Sequence, residues 1–163
     1  MHFCDILILL GGIFMKYDIC VFGGCSLDQT YFQNVDGSFE SVPNNIAPGG
    51  KGSNQAVAAA RAGAKTIIIS RLGKDKIGRQ ILDNLNINQV NTSRVELVEG
   101  LNNDFSNIYI NIDDKDNRIE RVTGAINSFT TDMITNNADI LLNSKIIVCQ
   151  LKIPKEVTKE LIK

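Results

Sequence analysis

From Ala47 to Gly73 the chain reads APGGKGSNQAVAAARAGAKTIIISRLG, and the order of its parts predicts an α/β protein. Residues 48–52 form a turn-prone loop, because proline and glycine interrupt regular structure. Ser53 can cap the start of a helix of small residues that ends at Gly63. The β-branched run 66–70 then predicts a buried strand. Glycines admit a ligand close to the backbone and a helix N-terminus presents N–H groups, so the loop is a candidate site for a polar ligand.

Two familiar phosphate-binding motifs do not fit this loop. A P-loop requires G-x-x-x-x-G-K-[ST], which neither residues 50–52 nor residues 73–75 supply. A dinucleotide fingerprint requires G-x-G-x-x-G, but Gln55 stands where the third glycine belongs. The loop therefore belongs to neither class of nucleotide-binding loop.

Composition limits the classes of protein to consider. With 163 residues, 44% apolar content and a net charge of −1, the chain is typical of a soluble globular protein with one core. It has no basic excess that would indicate nucleic acid or an anionic membrane as a partner. The single histidine, His2, excludes a histidine-based triad or metal site. The four cysteines show no C-x-x-C pairing and are interpreted as free thiols, which predicts a reducing, cytoplasmic location.

The first fourteen residues, MHFCDILILLGGIF, read differently from the rest. Their apolar run, residues 6–10, is too short to span a bilayer. Asp5 stands where a signal peptide would carry Lys or Arg. We expect residues 1–14 to be an extension outside the core, or Met15 to be the natural start; a cleaved signal peptide is the alternative.

A second group of candidate ligand residues follows the apolar strand 17–24. Ser26 and Asp28 come at its carboxyl end, where doubly wound α/β proteins place ligand groups. A carboxylate such as Asp28 can accept two hydroxyl hydrogen bonds; the alternative is a solvated side chain. The turn signal Asp36-Gly37 predicts a hairpin of strands 31–35 and 39–42.

Strands and helices alternate along the remaining chain, which predicts an α/β sheet with right-handed crossovers. The acidic run 113–117 could suggest a calcium loop, but it lacks the central Gly and distal Glu of an EF-hand, so a solvated hairpin turn is favoured. The predicted elements are a helix over 77–85 with Asp75 as its cap, a strand over 94–98, a hairpin of 107–112 and 118–122, a helix from Thr130 or Thr131 to about 142, a buried strand over 145–151 and a helix from 155.

The glycine-rich stretch resembles the first signature of the ribokinase, or PfkB, family of sugar kinases. The run GGKGSNQAVAAARAG is similar to the ribokinase branch in particular. The positions that carry the resemblance are Gly49, Gly50, Gly52, Asn54, Ala56, Gly63 and Gly73. It covers nearly all of this chain but only the N-terminal half of the family. It implies that residues 15–163 form the N-terminal half of a ribokinase-like doubly wound sheet, with small β-lid strands at about 29–46 and 107–122.

The resemblance also implies a sugar site. Asp28 and Asn54 would contact hydroxyls, and the backbone of 50–52 would close against the ring. The carried-over substrate-binding residues are Ser26, Asp28, Gly50, Lys51, Gly52 and Asn54. Three positions depart from the family pattern: Lys152 replaces a sugar-contacting Glu, Ile126 replaces an Asn, and Asp104-Phe105 replaces a Thr-Gly pair. These departures put sugar affinity in question while leaving the fold intact.

The activity implied by the family is ATP-dependent phosphorylation of D-ribose to ribose 5-phosphate, with Mg²⁺ and a monovalent cation such as K⁺, in a homodimer formed through the lid strands. The family's catalytic base lies in a G-A-G-D motif, and no such motif occurs in these 163 residues. We therefore predict no catalytic, nucleotide-binding or metal-binding residue here, and an inactive fragment of the kinase. The alternatives are a non-catalytic sugar-binding or regulatory module, and a kinase of another sugar or a nucleoside.

Overall fold

The computed structural model describes residues 6–10, 16–111 and 116–163, and contains two sheets. Buried β-branched runs form the strands of the first sheet, and lid segments form the second. In chain order the elements are β1 (Ile6–Leu10), β2 (Tyr17–Phe22), β3 (Ser26–Phe32), β4 (Asn45–Gly49), α1 (Lys51–Arg61), β5 (Thr66–Gly73), α2 (Lys76–Ile87), β6 (Asn91–Val98), β7 (Asp104–Asn111), β8 (Asp116–Val122), a 3-10 helix (Ala125–Ser128), α3 (Asp132–Thr135), α4 (Ala138–Leu141), β9 (Ser144–Gln150) and α5 (Lys155–Ile162).

The central sheet has the order β1-β9-β2-β5-β6, and β9, β2, β5 and β6 run parallel. Side chains of β2 and β5 alternate between two cores, one on each face. Phe22 and Ile67 pack with residues of α4 and α5, whereas Val21 and Ile68 pack with residues of α1 and α2. Burial on both faces explains why the central residues of these strands, 19–22 and 67–69, are all apolar. The prediction of a doubly wound α/β sheet is confirmed.

The lid is a separate four-stranded sheet with the order β4-β3-β7-β8. Its central strands β3 and β7 pair in parallel, and the outer strands pair antiparallel. Tyr31 stacks on Tyr109 with ring centroids 5.1 Å apart, and Phe39 meets the Tyr109 ring edge-on at 5.2 Å. These aromatic contacts join adjacent lid strands.

The first lid hairpin differs from its prediction. The paired strands are β3 and β4, and within residues 33–44 the structure has one isolated bridge, Gln33 to Phe39. The chain returns at Asn44, whose side-chain oxygen accepts a 2.8 Å hydrogen bond from the Phe32 N–H. Val35 and Val42 are exposed, so they give the expected strands no apolar face to bury. The prediction of strands at 31–35 and 39–42 is wrong for that reason.

Two helix predictions also need correction. Helix α1 begins at Lys51 with Gly50 as its N-cap, and Ser53 does not cap it; the Ser53 hydroxyl is buried without a hydrogen-bond partner among the described residues. The helix expected from 130 to 142 is interrupted between α3 and α4, where the Asn137 side chain donates to the Met133 carbonyl at 2.7 Å. That bond satisfies a carbonyl at the end of α3 and competes with helix continuation. The Asp75 cap of α2 is confirmed, since its carboxylate accepts from the Gly78 N–H at 2.8 Å.

The N-terminal segment joins the sheet. Strand β1 pairs antiparallel with β9, with Ile8 opposite Val148. The backbone of β1 therefore covers the outer edge of β9, and the expectation that residues 1–14 lie outside the core stays a prediction. The centre of the acidic turn, residues 113–115, lies outside the described residues. Among the helices that the structure does describe, none is both long enough and apolar enough to cross a bilayer.

Candidate sugar site

A cavity of about 380 Å³ opens where one face of the lid meets the start of α1 and the carboxyl end of β9. Polar groups from distant parts of the chain converge on it. Six of the seven residues singled out from the sequence line it: Ser26, Asp28, Gly50, Lys51, Asn54 and Lys152. The seventh, Gly52, does not.

Strand β3 positions the first two of these side chains. Ser26 and Asp28 are two residues apart, so they project from the same face of the strand. The Ser26 hydroxyl donates to Oδ1 of Asp28 at 3.0 Å. This bond orients the carboxylate, whose remaining lone pairs can accept hydroxyl groups of a polyol. The sequence placed both residues at the end of β2, whereas they begin the lid strand.

The two glycines at the start of α1 have different functions. Gly50 has φ +92°, and a Cβ there would come within 2.5 Å of the Ser26 backbone nitrogen. A side chain would therefore be strained and would collide with the strand that carries Asp28. The Gly52 N–H donates to the Gly24 carbonyl at 2.9 Å. Its place in the fold is close packing of α1 on the 23–24 backbone, and its contact with a sugar stays a prediction.

Two buried polar residues hold the walls of the cavity. The sequence alone did not identify them as residues that shape the site. Gln150, the last residue of β9, accepts the Gly24 N–H on Oε1 at 2.9 Å and is 5% exposed. The sequence could have indicated this residue, because a polar residue that ends an apolar parallel strand lies at the edge of the sheet where ligands bind.

Asp104 is the second of these residues and begins β7. Its two carboxylate oxygens accept the N–H groups of Gly124 and Ile126, each at 2.9 Å. Burial raises the pKa of this carboxyl above its usual range, although both backbone hydrogen bonds act to lower the pKa. The sequence marked Asp104 as a departure from the family, but not as the anchor of the segment 123–127 that lines the cavity.

Cys25 also lines the cavity but is unsuited to nucleophilic chemistry. The side chain is buried, its Sγ lies 3.6 Å from the Ser70 hydroxyl, and burial raises the pKa of the thiol to about 12. At neutral pH it is a thiol and not the reactive thiolate. This agrees with the interpretation of the cysteines as free thiols, since Cys20, Cys25 and Cys149 are unpaired.

A doubly wound sheet with a β lid over a polar cavity defines the ribokinase-like class of carbohydrate kinase fold. Residues 16–163 match the pfkB family carbohydrate kinases, so the chain belongs to that family. The match begins at the residue before β2 and extends through α5. The resemblance that the glycine-rich stretch indicated is thereby confirmed over nearly the whole chain.

Individual relatives agree with this assignment. The chain is 34% identical to a ribokinase of Bacillus subtilis over 155 residues, which covers 90% of this chain and 50% of the relative. It is 31% identical over 143 residues to a deoxyribokinase of Salmonella typhi, covering 85% of this chain and 46% of the relative. The solved ribokinase of Arabidopsis thaliana, complexed with ribose and ATP, shares the fold with a TM-score of 0.75 and 24% identity, over 90% of this chain and 50% of that one. The chain thus spans about half the length of these relatives.

Proposed function

We propose that this chain forms the sugar-binding half of a ribokinase-like kinase, with D-ribose as the first substrate to test. The observation that carries the proposal is the convergence of Ser26, Asp28, Lys51 and Asn54 on one cavity. A cavity of about 380 Å³ falls within the range of small-molecule sites, roughly 300–1,000 Å³. The names of the relatives, ribokinase and deoxyribokinase, support a pentose.

Different side chains of the cavity can contact different parts of a polyol. Asp28, oriented by Ser26, offers charge-assisted acceptors for sugar hydroxyls. Asn54, in the first turn of α1, offers both a donor and an acceptor, which suits a hydroxyl that is itself both. The lid strands β7 and β8 contribute Phe105, Ile108 and Ile119, which supply an apolar wall against the ring.

We propose no site for ATP or Mg²⁺ on this chain. Within residues 16–111 and 116–163, no group of three His, Cys, Asp or Glu side chains could hold a metal ion. The 163 residues also contain no G-A-G-D segment that would carry the base. We therefore derive no phosphoryl-transfer step. Transfer from ATP to ribose, with Mg²⁺ and K⁺, is proposed for a protein of the relatives' full length.

One observation favours a second candidate, a non-catalytic sugar-binding or regulatory module. The cavity residues are in place within these 163 residues, so sugar binding would not require the segment that carries the base. Pairing of two copies through the lid remains a prediction. Exposed Phe32 and Ile46 lie on the lid strands outside the cavity lining and are the residues that such a homodimer would cover.

The experiment is calorimetric titration of the 163-residue chain with D-ribose. Asp28→Asn keeps the size of the side chain and removes its charge, so we expect the dissociation constant to rise on the order of tenfold or more. Asp83→Asn is the matched control, because Asp83 is an exposed residue of α2 that does not line the cavity. Equal binding of D-ribose by both variants would contradict a sugar site at this cavity, and no binding of D-ribose by the parent chain would contradict D-ribose as the substrate.

A further inference from the structure

We propose that the cavity takes a sugar bearing a carboxylate or phosphate group in preference to a neutral sugar. This inference rests on the proposed sugar-binding function and names the substrate class more closely. The observation behind it is the set of cations in the lining. Lys51, Arg121 and Lys152 reach the cavity from the start of α1, from β8 and from the residues after β9.

The carboxylates of the lining do not offset Arg121 or Lys152 directly. Asp104 is 8% exposed, and both of its oxygens accept backbone N–H groups of the 3-10 helix region. Asp28 accepts from Ser26, which is uncharged. Neither carboxylate makes an ion pair with Arg121 or Lys152, and neither cation has an ion-pair partner anywhere in the described ranges. The cavity therefore presents positive groups that a neutral sugar would leave without a counter-charge.

The register of the lid explains why Arg121 faces this cavity. Along β8, Ile119, Arg121 and Val122 line the cavity, whereas Arg118 lines a different groove and lies over the Tyr109 ring at 4.6 Å. Ile119 and Arg121 follow the two-residue period of a strand, and Val122 lines the cavity at the end of β8. Arg121 stands opposite Ser106 of β7, which lines the same cavity. A guanidinium beside a hydroxyl can bind a carboxylate or phosphate through several donors.

Lys152 supplies the second cation, from the segment after β9. It lies two residues beyond the end of β9 and is exposed, so its side chain can extend toward a ligand. At the position where the family resemblance expects a glutamate, an ammonium group now attracts negative charge and offers three donors. Lys51 adds a third positive group at the start of α1, where the helix dipole also favours an anion.

The test is calorimetric titration of the 163-residue chain with D-ribose, D-ribonate and D-ribose 1-phosphate, and with inorganic phosphate and ATP as separate arms. We expect at least one anionic sugar to bind about tenfold or more tighter than D-ribose. That preference should shrink between 50 mM and 300 mM salt, because exposed charges are screened. Comparison of ribonate with ribose 1-phosphate tells whether the group is a carboxylate or a phosphate.

Variants assign the effect to the two unpaired cations. Arg121→Gln and Lys152→Gln should each weaken binding of the preferred anionic sugar on the order of tenfold, and should change binding of D-ribose by a smaller factor. Arg118→Gln is the matched control on the other face of β8, and Lys155→Gln is an exposed lysine outside the cavity. Both controls should stay within about twofold of the parent chain. Thermal unfolding by circular dichroism checks that every variant is folded.

The outcomes are separable. If D-ribose binds as tightly as the anionic sugars, the preference proposed here is overturned while the sugar-binding function stands. If phosphate or ATP alone binds as tightly as the anionic sugars through the same two cations, the cations recognise a separate anion and the proposal is again overturned. If no sugar binds at all, both this inference and the proposed function fail.

Discussion

Replacing Asp104 tests whether one buried carboxylate holds the wall of the cavity. In Asp104→Ala the N–H groups of Gly124 and Ile126 lose the acceptors that now lie at 2.9 Å. An unsatisfied buried N–H costs roughly 1–3 kcal/mol, and removing a buried carboxylate recovers part of its desolvation energy. We expect the free energy of unfolding to fall by about 2–4 kcal/mol, a large part of the ~5–15 kcal/mol typical of a domain.

The measurement is urea unfolding followed by far-UV circular dichroism, since the chain has no tryptophan to report by fluorescence. The control is Asp104→Asn, which keeps one oxygen acceptor and should lose less stability than the alanine variant. Titration of both variants with D-ribose then shows whether ribose binding requires the 123–127 segment to be fixed in place by Asp104. A loss below about 0.5 kcal/mol in Asp104→Ala would refute the assignment of Asp104 as the anchor of this wall.

The same residue predicts a pH dependence with a definite sign. Burial raises the folded-state pKa of Asp104 above its ordinary value of 3.8, so the folded chain holds this proton more tightly than the unfolded chain does. Its stabilising contribution is therefore full below pH 3.8 and is lost as the pH rises through the folded-state pKa. The difference in unfolding free energy between the parent chain and Asp104→Asn should shift in favour of the parent as the pH falls from 7 toward 4. A shift in the opposite direction would contradict this reasoning.

Three further predictions concern the rest of the chain. Lys152→Glu restores a charged acceptor at the cavity and should tighten D-ribose binding about tenfold by calorimetry; equal or weaker binding would mean that Lys152 does not reach the sugar. Deleting residues 1–14 removes β1 and exposes the edge of β9, so light scattering should detect self-association that the parent chain lacks, and an unchanged mass would contradict the edge-covering role of β1. In a coupled assay the 163-residue chain should release no ribose-dependent ADP, because it has no G-A-G-D segment; release that Asp28→Ala abolishes would refute this.

The central sheet could be predicted because its signals are local. The apolar runs at 17–24, 66–70 and 145–151 are uninterrupted, and only a strand covered on both faces needs such a sequence. The glycine block could be predicted for a related reason. Gly50 has a local backbone conformation that favours glycine, whereas Gly52 is required because the backbone of Gly23 and Gly24 lies too close for a side chain.

The parts that sequence reasoning missed depend on long-range contacts. Pairing of β1 with β9 joins segments more than a hundred residues apart, and nothing in the run 6–10 specifies that partner. Asp104 reads as an ordinary strand residue until the 124–126 turn is brought against it. The meeting of Arg121 with Lys152 at one cavity likewise depends on the lid register, which a single-residue slip would reverse.

Residues that the fold requires and residues that only line the cavity are constrained in different ways. A substitution at Gly50 would disturb the backbone that supports Asp28, so this residue is tied to the fold whatever the ligand is. Lys152 and Arg121 are exposed and take no part in packing, so their charges can change without affecting the sheet or the lid. The glycine block identifies the family through residues that the fold requires, so it does not by itself specify the sugar. The substrate is specified by the exposed residues that line the cavity. In this chain Arg121 and Lys152 are two such residues, and both are cations at the same cavity as Asp28.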